Sequence, residues 1–345
     1  MKKKLIYLIS LLMVFAVMFT ACGKGGNGAE STDRVVLYTA ASTNQCDLIQ
    51  ELWPTIHPDI EIEIVMAGSG ELQNRIIAEA ENPQGDVMMG GSYAVYTALE
   101  NYLTPYSTNN IKKFVPKFKP TSDKYTPIQI NVNTIIVNNK LLAKTGATVD
   151  GWESLTNPAL KGNITFADPS SSSSGREQVV NMLATMNKTG KMEDGWSFIT
   201  EFIKNLDGKI SSSSSAITTG VVNGEYAVGI TNEENVIDNI VNGADVSAVY
   251  AKEGITLRNS YCGIIKGCKN EKNARLLVDF FTSKEYQQAC ADRLYQRSVR
   301  SDVTFAVEGV AATEDLNAVE YPSAWVEENT DLLKEKFQDL WTSVK

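Results

Sequence analysis

The sequence predicts an α/β protein built in two parts. Three observations lead there. Strand-like and helix-like segments alternate from residue 35 onward, the first three strands each end in small hydroxyl or glycine residues, and serine runs twice follow a strand and precede a helix in the second half. Alternation of this kind implies a mainly parallel sheet covered by helices. Open sheets of that type bind ligands at the carboxyl ends of their strands.

Residues 35–39 read as a strand, and Leu48, Ile49, Leu52 and Trp53 recur at helical spacing. Ile60, Ile62 and Ile64 alternate as a second strand. Leu72, Ile76, Ile77 and Ala80 mark a second helix, and residues 87–89 a third strand. The strand ends offer Ser42 and Thr43, then Ser69 and Gly70, then Ser92 behind Gly90-Gly91. Gly and Ser are also ordinary turn formers. Their recurrence at three corresponding strand ends is what points to a ligand-facing rim. Residues 112–125 are basic, proline-bearing and irregular, and read as surface. Residues 127–138 alternate as one long strand without a turn residue in its middle, so it can pass from one part of the protein into the other.

The most informative stretch is Asp168-Pro-Ser-Ser-Ser-Ser-Ser-Gly-Arg176. Ile164 and Phe166 alternate on a strand before it, and Val179, Val180, Leu183 and Met186 recur at helical spacing after it. A helix start offers unpaired N–H groups and the positive end of the macrodipole, so Ser173, Ser174, Gly175 and Arg176 form a candidate anion site. Ser-rich runs also serve as linkers, but a linker is not usually bounded by a strand and an amphipathic helix. A second run at 210–215, including Ser213, precedes a helix over 216–223. The strand at 227–230 ends in Thr-Asn-Glu-Glu-Asn, which places Glu233 and Glu234 at a rim or at a solvated helix start, where carboxylates also suit the dipole.

Composition narrows the function. Residues 1–21 carry Lys2, Lys3 and Lys4, an apolar run from Leu5 to Phe19 and then Thr-Ala before Cys22, the pattern of an export signal. The run is shorter than the roughly 20 residues that span a bilayer. Loss of the three lysines takes the formal charge from −9 to −12, which disfavours nucleic acid and anionic membrane surfaces as partners. One histidine, His57, and cysteines without C-x-x-C spacing leave no zinc site and no Ser-His or Cys-His catalysis. No catalytic residue, metal ligand or cofactor is assigned. Cys262 and Cys268 could pair in an oxidising compartment or remain buried thiols.

The small residue before Cys22 and the Gly-rich residues 23–28 resemble a bacterial lipoprotein cleavage site with a tether over 22–32, which implies an extracytoplasmic protein lipid-anchored at Cys22 to the cell membrane. Beyond it the chain resembles the type 2 solute-binding proteins of ABC importers, in the branch that holds ferric-, sugar-phosphate- and phosphonate-binding members. The residues carrying the resemblance are Gly91-Ser92, Asn157-Pro-Ala-Leu-Lys-Gly-Asn-Ile164, Asp168-Pro-Ser170 with Ser174-Gly175, and Gly224-Glu-Tyr-Ala-Val-Gly229. Val249-Tyr-Ala-Lys-Glu-Gly254, residues 264–274, Phe281-Thr-Ser-Lys-Glu285 and Arg297-Ser-Val-Arg-Ser-Asp302 extend it.

The resemblance implies a two-lobe type 2 periplasmic-binding-protein fold with a hinge of two crossing strands near 128–132 and 249–255. Residues 33–127 would begin lobe 1, 128–252 form lobe 2, and 253–345 return to lobe 1 with the C-terminal helices. It also implies a monomer that clamps a small anionic solute between the lobes and delivers it to a membrane permease. Ferric-binding members carry adjacent tyrosines after the strand at 227–230, where this chain has Thr231-Asn-Glu-Glu-Asn235, so a phosphate- or phosphonate-bearing solute is expected before iron. A phosphohydrolase using Glu233 or Glu234 as base is the expectation from another class; no nucleophile-base pair supports it.

Overall fold

The computed structural model describes residues 33–344; the signal segment 1–21, Cys22 and the tether lie outside the described residues. The first α/β run is β1 (Arg34–Thr39), α1 (Thr43–Ile56), β2 (Glu61–Met66), α2 (Ser69–Ala78), β3 (Val87–Met89), α3 (Tyr93–Ala98) and the short β4 (Leu103–Thr104). β1 pairs in parallel with β2 on one side and β3 on the other. Val35, Leu37, Leu48, Ile49 and Trp53 are buried in the core that results, while Leu52, Ile60, Ile62 and Ile64 pack against it partly buried and Ile77 is exposed.

Two long strands join the halves. β5 (Thr126–Asn138) and β10 (Ile255–Ile265) run antiparallel at the centre of a mixed sheet, in which β10 is also paired with β3. The first half of β5, up to Val132, pairs with β10; its second half, from Asn133, pairs with β8 (Val228–Asn232) and β9 (Val246–Val249). The intervening elements are α4 (Asn139–Thr145), β6 (Ile164–Ala167), α5 (Ser173–Thr185), α6 (Trp196–Leu206), β7 (Ile210–Ser211), α7 (Ser214–Val222) and α8 (Glu233–Val241). Here β8, β6 and β7 continue the sheet in parallel, around a second core with Trp152, Phe166, Leu183 and Phe202. α9 (Glu271–Phe281) and α10 (Lys284–Leu294) pack back on the first core through Leu277, Phe281 and Tyr286. β11 (Ala318–Val319) and α11 (Ser323–Val344) close the chain.

Two expectations need correction. The return of residues 253–345 to lobe 1 fails for α11, whose Val326, Leu333, Phe337 and Trp341 are buried in the second core with Phe166 and Phe202. Residues 112–125 are not surface throughout: Phe114 and Phe118, four apart, are buried with Ile130, Val132 and Ile255 against the crossing strands. Cys46, Cys262, Cys268 and Cys290 are free thiols, and burial pushes the Cys268 thiol up to about 12. Among the described residues no helix is long and apolar enough to cross a membrane.

Candidate functional site

Strand ends from both halves of the sheet and the polar faces of β5 and β10 border three cavities. On β5, Ile128, Ile130 and Val132 are buried in apolar cores, while the alternate residues Gln129, Asn131 and Asn133 carry amides. Gln129 donates to Asn131 at 3.1 Å, and Asn131 donates to the Ser260 hydroxyl on β10 at 2.9 Å. A cavity of about 290 Å³ opens over this ladder. Ser42, Asn44 and Gly91 line it from lobe 1, Glu234 and Asp238 from α8. Gly90 and Gly91 both have positive φ, 87° and 96°, a conformation that lets the chain turn sharply off β3.

A second cavity, about 240 Å³, gathers helix starts. Ser69 and Gly70 of α2, Ser92 before α3, and Ser173 and Arg176 of α5 line it, and Val326, Thr330 and Leu333 of α11 form its wall. Ser92 makes no side-chain cap, and Gly68 before α2 has no side chain to make one. α5, by contrast, is capped by its own Ser172, whose hydroxyl accepts from the Gly175 N–H at 3.1 Å. The Arg176 guanidinium donates to the Pro169 carbonyl at 3.0 Å, and burial holds its pKa below the ordinary value. A third cavity, about 630 Å³, adjoins through Ser92 and Glu177 and is walled by Tyr93, Arg258, Tyr261 and Tyr321.

The sequence-derived residues therefore divide. Ser42, Ser69, Gly70, Ser92, Ser173, Arg176 and Glu234 line cavities of the cleft. Ser174 lies beside it, its hydroxyl donating to Asn232 at 3.5 Å and accepting from Gln178 at 3.2 Å. Thr43 is exposed in the first turn of α1. Ser213 caps α7. Gly175 is buried, and a Cβ there would lie 2.4 Å from the Ala167 carbonyl oxygen, so this glycine seats α5 against β6. Glu233 is 2 % exposed and bound at both oxygens by Arg297, with the Tyr250 hydroxyl donating to it as well. Its carboxylate is already occupied within the protein. Asn131, Asp238, Ser260 and Arg258 also line these cavities and were not singled out from the sequence. Their signal was polar residues at alternate positions of otherwise apolar strands, or one helical turn beyond Glu234.

Burial raises the Glu234 carboxyl above its ordinary 4.5, and the Glu233 charge adds to this, against opposing hydrogen bonds from its own backbone and from Asn232 and the attraction of Arg258. The folded protein thus holds this proton more tightly than the unfolded chain. The stability it contributes is complete below the ordinary value and is lost as pH rises through the raised one. Glu234→Gln is expected to melt above the parent at about pH 7.5, with the difference vanishing near about pH 4. Thermal melts of both proteins across that range check the sign; a variant less stable at the upper end would contradict it.

The sequence model described as "Bacterial extracellular solute-binding protein" matches residues 55–316. A protein of Salmonella typhimurium named a putative 2-aminoethylphosphonate-binding periplasmic protein is 25 % identical over 268 residues, 76 % of each chain. An uncharacterised protein of Haemophilus influenzae is 27 % identical over 288 residues, 81 % of each chain. Among solved structures, the periplasmic binding protein AfuA of Actinobacillus pleuropneumoniae, with fructose 6-phosphate bound, superposes with a TM-score of 0.73 at 24 % identity, covering 90 % of this chain and 97 % of that one. A ferric-binding protein of Campylobacter jejuni gives 0.73 at 17 %, covering 89 % and 99 %. These likenesses establish the two-lobe type 2 periplasmic-binding-protein fold. With most of its length matched by the family's sequence model, the chain belongs to the bacterial extracellular solute-binding proteins.

Proposed function

We propose that the protein is the solute-binding component of an ABC importer, that it holds a small phosphate- or phosphonate-bearing organic solute between its lobes, and that it delivers this solute to a membrane permease. The observation that carries the reading is the convergence of the α2, α3 and α5 starts on one cavity with Ser69, Ser92, Ser173 and Arg176 around it. Helix-start N–H groups, hydroxyls and a guanidinium are together a receptor for an oxyanion. Glu234 and Asp238 line the neighbouring cavity, and their carboxylates suit hydroxyl or amino groups at the other end of the same molecule. The relative named for 2-aminoethylphosphonate and the neighbour with fructose 6-phosphate bound support this class.

Iron has less support. No two tyrosines are adjacent in the sequence, and among the described residues no three His, Cys, Asp or Glu side chains group as metal ligands.

Charge-assisted hydrogen bonds contribute roughly 1.5–3 kcal/mol each, so losing one weakens binding about ten-fold to a hundred-fold. Ligand at 100 times its Kd stabilises the fold by about 2.7 kcal/mol. In a thermal-shift panel of 2-aminoethylphosphonate, hexose phosphates, glycerol phosphates, inorganic phosphate and the unphosphorylated sugars, only phosphorylated or phosphonylated compounds are expected to shift the melt. Ser173→Ala with Arg176→Gln should remove that shift. Neutral sugars acting as strongly as their phosphates would refute the reading.

The lobes are assigned as residues 33–127 with 253–320, and 128–252 with α11. The protein acts as a monomer held outside the cell by lipid on Cys22. Detergent partitioning of the expressed full chain checks the anchor: Cys22→Ser should release the protein to the aqueous phase or leave its precursor uncut, which is seen as a larger species, and a wild type found wholly in the aqueous phase excludes it.

A further inference from the structure

Two guanidiniums beside the crossing strands, Arg297 buried and Arg258 partly buried, are served very differently. Arg297 makes four hydrogen bonds: Nε and Nη2 each donate to Glu233 at 2.7 Å, Nη1 donates to Thr313 at 2.7 Å, and Nη2 also donates to the Ala311 carbonyl at 2.6 Å. Arg258, in the first half of β10, hydrogen-bonds only to neutral groups. Its Nη2 donates to Asn133 at 2.9 Å and to Asn232 at 3.5 Å. Its buried Nε donates no hydrogen bond. The nearest carboxylate oxygen, on Glu177, is 4.0 Å away, beyond hydrogen-bond reach, and accepts instead from the Tyr321 hydroxyl at 2.7 Å. A cation withdrawn from water is tolerated when an anion meets it, and two amide oxygens supply only partial charge.

The Arg258 side chain is 13 % exposed, and it lines the largest of the three cleft cavities. That cavity adjoins the helix-start cavity, with Ser92 and Glu177 lining both. Asn232 draws the two together: its side-chain oxygen accepts from Arg258 and also from Ser174, the serine before Gly175. Tyr93, Tyr261 and Tyr321 wall the same space, a surface suited to the carbon body of a solute.

Resting on the reading that the cleft takes a phosphoryl or phosphonyl group, we infer that Arg258 is an oxyanion-binding residue of this site, presented by a crossing strand and working beside Ser174. A planar guanidinium can meet two oxygens of such a group at once, which an ammonium cannot. Because β10 pairs with β3 of one lobe and β5 of the crossing, the anion would be held by the hinge as well as by the lobes.

The test is calorimetric titration of full-length wild type, Arg258→Gln, Arg258→Lys and the Ser173→Ala/Arg176→Gln variant with 2-aminoethylphosphonate, fructose 6-phosphate and inorganic phosphate, with unliganded melts recorded alongside. Arg258→Gln is expected to lose ten-fold or more in affinity for whichever probes bind the wild type, and Arg258→Lys to recover part of it. Without ligand, Arg258→Gln should melt close to the wild type, since the guanidinium makes hydrogen bonds only to neutral groups and leaves its Nε without one. Wild-type affinity in Arg258→Gln would overturn the inference. So would an unliganded melt well below the parent, which would assign Arg258 a structural role. If the probes bind the wild type and only the Ser173/Arg176 variant loses them, this inference fails while the proposed function stands. If no probe binds the wild type, the proposed function fails first and this inference falls with it.

Discussion

Arg297→Met is expected to destabilise the protein by about 3–5 kcal/mol, a fall in melting temperature on the order of 10 °C. Arg297 and Glu233 are 1 % and 3 % exposed in their side chains and share two bonds of 2.7 Å. Removing the guanidinium leaves a carboxylate out of water with only the Tyr250 hydroxyl on it, and an unpaired buried charge is the costly outcome, more so than loss of the pair as a whole. Burial, and then the Glu233 charge, already push the Tyr250 hydroxyl well above its ordinary pKa, so it remains a neutral donor and cannot substitute for the cation. The pair also ties α8 to the crossing strand, since Glu233 starts α8 while Arg297 bridges to Ile130 on β5. Glu233→Met combined with Arg297→Met should recover most of the loss, because no charge is then stranded. Chemical denaturation of the four proteins in the cycle measures this. A double variant as unstable as the single one would show that shape, and not charge, is what the pair contributes.

That pair also marks where the sequence stops being legible. The alternation of β1 to β3 and their helices could be read because each element buries its own periodic residues: Val35 and Leu37 on a strand, Leu48, Ile49 and Trp53 on a helix. The rim could be read in part, since Ser42, Ser69, Ser92, Ser173 and Glu234 stand at strand ends and line the cleft. Glu233 and Glu234 are indistinguishable in sequence. They are separated only by a partner 64 positions away, which no local pattern reports. Arg258 was missed for the opposite reason: a single charge inside an apolar strand looks like a solvated residue until the strand is found at the centre of the sheet. The helical period of Val326, Leu333, Phe337 and Trp341 shows that α11 has a buried face, but not which core receives it. Phe114 and Phe118 were hidden by the lysines around them.

Gly175→Ala is the sharpest test of how the serine loop works. As a ligand residue Gly175 would matter for its N–H, but that group is bound by the Ser172 hydroxyl. What the structure requires of it is the missing side chain. A Cβ would lie 2.4 Å from the Ala167 oxygen and 3.0 Å from the Ala167 carbonyl carbon, both backbone atoms of a strand end that cannot turn aside as a side chain can. The first turn of α5 must therefore lift from β6, an overpacking cost of about 1–3 kcal/mol after alanine's better helix propensity has offset part of it. Ser173 and Arg176 move with that turn, so binding of phosphorylated probes should fall together with stability. Gly70→Ala is the control. It too lies in the first turn of a helix at the cleft, yet a Cβ there meets nothing within 4 Å, and that variant should melt at or above the parent. Differential scanning calorimetry of both variants decides between the roles. If Gly175→Ala melts like the parent and only its affinity drops, the glycine touches the ligand directly; if stability and affinity fall together while Gly70→Ala keeps its stability, the glycine is there to seat α5 against the sheet.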